Sequence, residues 1–410
     1  MLSAQKKGFS MKHVGIIAAA AACILIFLFF PQKSVISRYM MKVTNEGFIY
    51  FIAVLGLCVM LGMGGQVTFS TAGLMGVGAY TTAILTTRYG WQTLPAICIA
   101  VIGGGIFSFV MGLALFRLKG SYFSFASIGF TSLLYTIFSN WMEVTGGPDG
   151  ISSIPKLDLY FFQCANYYDY FRVYFVVAII CFLIVLRMRK TSFGRALASV
   201  RDNEITARSF GVNAYMTKVY SFMIAGVFAC LSGAMYAVFE GYISPEPFKY
   251  DQSAIYLIMV MLGGVDSTFG AFIGALLLTI LPEKMRFLQD YYKLVYGVGV
   301  IVLMVVMPMG IMGFVQAVRN KLHEKAKRAR LKKQQTEVSE YLLEVRNVNK
   351  SFGGVVTAND VCMSVEPGQI RGLIGPNGAG KTTLLNLISG IYDVDGGNIF
   401  FNGKDVTKLP

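Results

Sequence analysis

Charge is what this chain has least of. Lysine, arginine, aspartate and glutamate make up 14% of its 410 residues, against about 25% in soluble domains. The shortfall comes from apolar runs such as Val14–Phe30, Leu94–Phe116, Val173–Leu186 and Leu294–Val315. Each is near or above the ~17–25 residues that carry a helix across ~30 Å of hydrocarbon, the third only with its flanks. With 55% hydrophobic residues and a mean hydropathy of +0.59, the chain reads as an integral membrane protein, not a soluble helical one.

Acidic groups are scarcer than basic ones, 22 against 36, for a net charge of +14. Residues 317–340 hold eight basic and three acidic side chains and residues 341–410 hold six of each, so most of the excess lies in the loops of the apolar part. Basic loops of this kind mark the cytoplasmic side of a membrane protein. Anionic lipid beside a juxtamembrane segment accounts for Arg319–Lys333, and no nucleic-acid partner is expected.

Cysteines are few and unpaired in spacing. The seven (23, 58, 98, 164, 181, 230 and 362) show no C-x-x-C, so neither a disulfide framework nor a metal site is expected. Five lie in apolar runs, where a thiol acts as a small hydrophobe; Cys164 falls in a loop expected outside. No clear small-residue cleavage site follows Lys6, Lys7, Lys12 and the first apolar stretch, which favours a first spanning helix over a signal peptide. No long internal repeat is visible.

Spans are expected at 14–30, 47–63, 67–87, 94–116, 122–140, 173–187, 217–239 and 294–315. With the N-terminus inside, the basic clusters Lys6–Lys12, Arg117/Lys119, Arg187–Arg208 and Arg319–Lys333 fall inside. The loop 141–172 then lies outside and the loop 188–216 inside. The stretch 254–281 is ambiguous. Gly263, Gly264 and Gly270 beside Asp266, Ser267 and Thr268 suggest two half-helices joined by a polar turn, entering and leaving on one side; two short spans with a tight turn give the same parity. The segment VTFSTAGLMGVGAYTTAILTT at 67–87 carries hydroxyls and small residues that suit tight helix packing, a helix lining a solute path, or both. TGGPDGI at Thr145–Ile151 reads as a turn that Asp149 caps, or as a contact for an external protein or substrate. Glu240 and Asp266 are the candidate acids within the apolar part.

Against that background GPNGAGKTT, Gly375–Thr383, stands out. It matches G-x-x-x-x-G-K-[ST], a loop that wraps nucleotide phosphates. Gly375, Gly378 and Gly380 let the backbone fold around anionic oxygens, and its N–H groups with the following helix N-terminus supply positive potential. Lys381 reaches the outer phosphates and Thr382 offers its hydroxyl to Mg²⁺. Strands are expected around Leu343–Val348, at Asn359–Val365 and in GQIRGLIG, the last feeding the loop, with a helix over Thr382–Ile391. GGNIFFNGKDV predicts a strand and an Asn-Gly turn.

From Leu343 to Leu409 the wording resembles the opening of an ATP-binding-cassette ATPase. The resemblance implies that Phe352 stacks on adenine and that Gly375, Pro376, Asn377, Gly378, Ala379, Gly380, Lys381, Thr382 and Thr383 hold ATP, with Mg²⁺ at Thr382. The glutamine loop, signature loop, acidic strand end (the Walker B motif) and switch histidine of that family are not in the sequence. These roughly seventy residues are expected to be too few for a stable core unaided, and no hydrolysis is expected from this chain alone.

Four segments of the apolar part, GQVTFSTAGLMGVGAY, GSYFSFASIGF with NWMEVTGGPDGIS, SFGRALASVRDNEITARSFGV and MLGGVDSTFGAFIGA, resemble permease subunits of branched-chain amino acid ABC importers. In the third, Phe193, Ala196, Leu197, Val200, Ile205, Ala207, Phe210 and Val212 form a partly apolar face, and Arg195, Arg201, Asp202, Glu204 and Arg208 the polar remainder. The resemblance implies that this loop docks on an ATPase and carries its motion to the membrane, with Gly194, Arg195, Ala196, Arg201, Asp202, Asn203, Glu204, Ala207 and Gly211 as the coupling residues. An amphipathic helix resting on lipid is the alternative.

The expectation is thus an α-helical polytopic membrane protein of about 8–10 transmembrane helices, some broken or re-entrant, with a C-terminal incomplete α/β P-loop ABC ATPase fragment. Its parts are a transmembrane permease domain at 1–316, a basic cytoplasmic linker at 317–340 and a truncated ATP-binding portion at 341–410. It would sit multi-pass in the plasma (inner) membrane with its C-terminal segment cytoplasmic. Implied partners are a second homologous permease subunit, ABC ATPase subunits, an extracytoplasmic substrate-binding protein and membrane lipid. The function expected is the permease component of an ATP-driven importer of branched-chain or other hydrophobic amino acids. Few intramembrane charges suit a neutral or zwitterionic cargo. Alternatives are a urea or short-amide permease, a passive channel, and a membrane nucleotide-binding sensor that moves no cargo.

Overall fold

The computed structural model describes residues 37–284 apart from 119 and 159–162, isolated positions between 297 and 319, and residues 341–408 apart from 377. The span expected at 14–30, most of 294–315 and nearly all of the linker 317–340 lie outside the described residues. The chain divides into two units, Met1–Gln316 and Ala317–Pro410.

In the first unit Ser37 opens α1 (Arg38–Leu57) by accepting from Met40 N at 3.3 Å. The helix runs on as a π-helical turn, Cys58–Met63, making 26 helical residues in all, or about 39 Å. It is followed by α2 (Thr71–Thr87), α3 (Thr93–Leu115), α4 (Ser121–Asn140) and α5 (Tyr167–Met188). Two short helices, α6 (Ser192–Asp202) and α7 (Glu204–Ser209), lead into α8 (Ala214–Glu240), then α9 (Tyr250–Gly263) and α10 (Thr268–Lys284). Among the described residues five helices are long and apolar enough to cross a membrane: α1 with its π turn, α3, α4, α5 and α8.

The interior is built on α1 and α8, which are mostly buried, whereas only a third of the apolar stretch of α3, α4 and α5 is buried. Glycine permits the closest approach. A Cβ on Gly233 would stand 1.8 Å from the Met75 carbonyl oxygen, and one on Gly78 would stand 2.1 Å from that of Cys230, so α2 and α8 cross with their backbones in contact. The threonines of α2 do less than their number suggests. Thr82, Thr86 and Thr87 donate to carbonyls one turn back in their own helix and do not link helices.

A set of cross-helix hydroxyl bonds serves Gly64–Ser70, which is not helical, and the first turn of α2, which begins at Thr71 and not at 67. Ser124 donates to the Val67 carbonyl at 2.8 Å, and Ser127 accepts from Phe69 N at 2.9 Å. Thr131 donates to the Phe69 carbonyl and Ser253 accepts from Ala72 N, each at 2.8 Å. Unwound backbone inside a bilayer persists only where such partners replace water.

The 254–281 stretch is a helical hairpin. Its turn, Gly264–Ser267, has Gly264 at φ 112° and Ser267 N bonded to the Gly264 carbonyl at 2.9 Å. The returning helix α10 follows α1 along its length. A Cβ on Gly62 would meet the Val265 carbonyl oxygen at 2.4 Å, Phe272 packs on Phe48 and Phe51, and Tyr39 donates to Glu283. The outgoing helix α9 reaches only part-way, with Tyr256 beside Tyr50 at 5.5 Å between rings. α9 has 14 residues and α10 has 17, and the chain enters and leaves this hairpin at the end away from the turn.

The second unit holds a four-stranded antiparallel sheet of order β2-β1-β3-β4. Its strands are β1 (Leu343–Phe352), β2 (Val355–Val365), β3 (Gly396–Phe401) and β4 (Lys404–Asp405), with one helix, α11 (Lys381–Ile388). Val345, Val348, Ala358, Leu384, Leu387 and Ile399 form its small core. The Asn-Gly turn is present, with Asn402 at φ 51° and Gly403 at 76°. The strand expected in GQIRGLIG is not formed. No strand among the described residues pairs with it, and Ile370 and Ile374 are almost wholly exposed; without a neighbour its N–H and C=O groups have no ladder to join.

Candidate functional site

The loop between α5 and α8 is held in shape by its small and capping residues. Thr191 caps α6, accepting from Gly194 N at 3.3 Å. Gly194 is obligatory there, since a Cβ would lie 2.3 Å from the Met188 carbonyl oxygen. Asn203 divides the segment into two helices. It ends α6 in extended backbone, and its Oδ1 caps α7 by accepting from Thr206 N at 3.0 Å. Ala207 packs with Val200 and Ala214, and Gly211 turns the chain at φ 81°.

Two of the expected coupling residues turn inward and join the loop to the helices. Arg201 donates to the Gly62 carbonyl at the π turn and to Asp266 Oδ1 at 2.5 Å, in the hairpin turn. Arg189 donates to the Asp266 carbonyl. Gly310, in the described helical residues 310–314, sits at the same end, its Cβ position 2.5 Å from Gly264 N. Glu204 accepts from Arg208 at 2.5 Å and from Lys218, in α8, at 2.6 Å. The bonded Lys218 ammonium, with Arg208 behind it, holds the Glu204 carboxyl below the usual carboxylate range.

What the loop presents outward differs from the sequence reading. Arg195, which donates to the Lys190 carbonyl at 2.8 Å, and Asp202 are exposed, and Ala196 is half-buried. Of the partly apolar face read from the sequence, Ile205 and Phe210 are 79% and 83% exposed, whereas Leu197, Val200 and Ala207 are buried. The break at Asn203 rotates α7, so that only Ala207 of its apolar residues turns inward.

In the second unit the phosphate loop leads into α11. Gly378 at φ 88° and Gly380 at 75° take conformations other residues rarely adopt, and a Cβ on Gly380 would lie 2.0 Å from the Thr357 carbonyl oxygen. Lys381 begins α11 and folds back on the loop, donating to the carbonyls of Gly375 and Pro376 at 2.7 and 2.6 Å. Thr382 is exposed, Thr383 half-buried, and Ala379 lies beside Gly375; Asn377 is outside the described residues. Phe352 is 44% exposed, edge-on to Tyr392 at 5.2 Å and 5.4 Å from Lys350 Nζ. Among the described residues the donor set fits a nucleotide: an ammonium bonded to two loop carbonyls, a hydroxyl at a helix start, and glycine backbone open to anions.

The family described as branched-chain amino acid transport system, permease component, matches residues 39–307. The chain belongs to that family. This permease is 31% identical over 314 residues to the high-affinity branched-chain amino acid transport system permease protein LivM of Escherichia coli K12, covering 70% of this chain and 73% of that protein. Its Salmonella typhimurium LT2 counterpart is 31% identical over 303 residues, 68% of this chain and 71% of that protein. The ABC transporter family matches residues 358–409. A probable branched-chain amino acid transport ATP-binding protein, LivG, of Archaeoglobus fulgidus is 48% identical over 69 residues, 17% of this chain and 27% of that protein. The chain is thus a multi-pass ABC-transporter permease with a partial ATP-binding segment. A permease of this kind works with a partner permease, an ATPase and a substrate-binding protein.

The sequence reading missed two features. Glu240 is paired with Lys42 at 3.1 Å, and Glu46 lies 3.6 Å from the same ammonium. The expected span began at 47, one residue after the acid; the i, i+4 spacing of Lys42 and Glu46 was the available signal. Asp266 was singled out, but its partner Arg201 is 65 residues away, and no local pattern links them.

Proposed function

We propose that this permease is the membrane half of an ATP-driven importer of branched-chain or other hydrophobic amino acids, seated in the plasma (inner) membrane with its C-terminal segment cytoplasmic. The observation that carries the mechanism is the Arg201 contact. A loop helix is bonded at once to the π turn of α1 and to the turn between α9 and α10, so displacing the loop displaces both. Exposed Ile205 and Phe210 with Asp202 and Arg195 give a docking ATPase subunit an apolar centre and a charged rim. In the second unit Gly375, Pro376, Asn377, Gly378, Ala379 and Gly380 cradle phosphates, Lys381 releases its loop carbonyls to meet them, and Thr383 closes the loop. Phe352 offers a ring face to adenine. Thr382 would hold Mg²⁺, which supplies charge neutralisation at the phosphates.

The test is uptake of radiolabelled leucine, isoleucine, valine and urea into vesicles holding the chain with a second permease, complete ATPase subunits and a binding protein. ATP-dependent uptake of the amino acids is expected. Uptake of urea alone, or uptake indifferent to nucleotide, overturns the reading. Cysteines placed in 188–216 should be labelled only from the cytoplasmic side.

A further inference from the structure

Two outer helices show what a lipid-facing surface of this protein looks like. Along the middle of α3 the exposed large side chains are Ile102, Ile106 and Val110, and along α5 they are Val176, Ile180 and Leu183. The surface shared by α4 and the start of α9 is different. Ser132, Thr136 and Asn140 form a polar stripe one helical turn apart on α4, Thr136 donating to the Ser132 carbonyl and Asn140 to that of Thr136. Beside it Lys249 Nζ lies 2.7 Å from Glu246 Oε1 and 5.1 Å from the centre of the Tyr135 ring. Asp251, in the first turn of α9, is exposed, and no side chain among the described residues pairs with it.

These charges lie at the level where α4 ends, two residues beyond Phe138, and below the ends of α2 and α8. Phe248, fully buried next to Lys249, packs on Tyr80, Phe138 and Tyr236. A Cβ on Gly76 would lie 3.0 Å from its ring. Gly76 precedes the end of α2 at Thr87 by eleven residues, or about 17 Å of helix. The chain therefore descends after α8 and starts α9 part-way down the bundle. An unpaired carboxylate at that level cannot face hydrocarbon without severe cost; groups of this kind face water or a solute. Next to the polar stripe, Leu133 and Ile137 form an exposed apolar one, 55% and 38% accessible.

We propose that this face is a wall of the solute path, where Lys249 receives the carboxylate and Asp251 the ammonium group of a zwitterionic solute while Leu133 and Ile137 take its apolar side chain. The assignment deepens the importer reading and rests on it. Glu246 and Tyr135 hold the Lys249 ammonium in place, so that a solute carboxylate meets a positioned charge. The side-by-side polar and apolar stripes match a molecule that is charged at one end and hydrocarbon at the other.

The experiment uses the complete transporter in intact cells. Thr136→Cys and Asp251→Cys are treated with a membrane-impermeant, negatively charged thiol reagent, with and without excess leucine, against Ile102→Cys on α3. Labelling of the first two, slowed by leucine, with Ile102→Cys unlabelled, supports the proposal. Absence of labelling at both while the unsubstituted transporter imports leucine overturns it and shows the face covered by another subunit or by lipid. Labelling that leucine leaves unchanged overturns the binding role. In kinetics, Lys249→Gln and Asp251→Asn should raise KM for leucine about tenfold or more with kcat little changed, and Lys249→Arg should restore most of the affinity; an unchanged KM for both overturns the assignment. If the unsubstituted transporter moves no amino acid at all, the importer reading fails instead, which the wild-type control separates from failure of this site.

Discussion

Arg201 and Asp266 meet at 2.5 Å between Nη1 and Oδ1, joining a loop helix to the turn of a distant hairpin. The same guanidinium reaches the Gly62 carbonyl, so one side chain spans three elements. Replacing Arg201 with Gln should cost about 1–2 kcal/mol at this joint and separate two activities. ATP hydrolysis by the assembled partners should persist while leucine uptake falls about tenfold. Equal loss of both, in protein that still assembles, counts against a transmitting role. The exchanged pair Arg201→Asp with Asp266→Arg should recover part of the uptake.

Ser127→Ala removes the acceptor for Phe69 N, an amide that lies within unwound backbone and bonds to this hydroxyl. An unsatisfied buried donor costs about 1–3 kcal/mol. The variant should lose thermal stability in detergent by that order, and more than Ser132→Ala, whose hydroxyl serves no such amide. Equal stability of the two would show that another group satisfies Phe69.

The crossing of α2 and α8 predicts a steric result. Gly233→Ala drives a methyl to 1.8 Å from the Met75 carbonyl oxygen, whereas a methyl on Gly103 meets nothing within 4 Å. Overpacking of this sort costs about 1–3 kcal/mol or more. Gly233→Ala should lower the melting temperature of the purified chain and Gly103→Ala should leave it unchanged; indifference to both would remove the close crossing.

Glu204 gives a pH dependence with a definite sign. Its carboxyl is held below the ordinary value near 4.5 by the Lys218 hydrogen bond and then by Arg208. The contribution to holding the loop is therefore complete above that ordinary value and is lost as pH falls through the lower folded value. Partial exposure of the group keeps the effect modest. A dye on Asp202→Cys should gain mobility below about pH 4.5, while in a Glu204→Gln background it is mobile already at neutral pH and stays so. A flat profile with Glu204 present would show the contact idle.

Lys381→Ala, tested in the full-length chain with a fluorescent ATP analogue, should weaken binding about tenfold or more, equivalent to ~1.4 kcal/mol. Thr382→Ala should weaken binding only when Mg²⁺ is present. Nucleotide affinity unchanged in both variants would leave the loop without a ligand.

Composition and order were enough to establish a polytopic helical protein with a phosphate loop behind it. Apolar runs set where α3, α4, α5 and α8 form, because helix length and hydrocarbon thickness are local properties of a segment. Gly375–Thr383 was legible for the same reason: a contiguous loop needs only its own residues to wrap a phosphate. GQIRGLIG shows the limit. Its apolar residues suit a strand, but a strand exists only through its neighbours, and none among the described residues flanks it.

Side-chain direction and partnership belong to the tertiary structure. Periodicity grouped Ile205 and Phe210 with Leu197, Val200 and Ala207 on one apolar face; the Asn203 cap left the first two exposed and the others buried. Nothing near Arg201 in the chain announces Gly62 or Asp266, and nothing near Lys249 announces that Phe248 is anchored deep beside Gly76. The amino-acid order decided which segments leave water. Only the packing of helices far apart in that order decided which charges are paired and which hydroxyls satisfy unwound backbone, because those outcomes depend on distances between chains of atoms that no local spacing encodes.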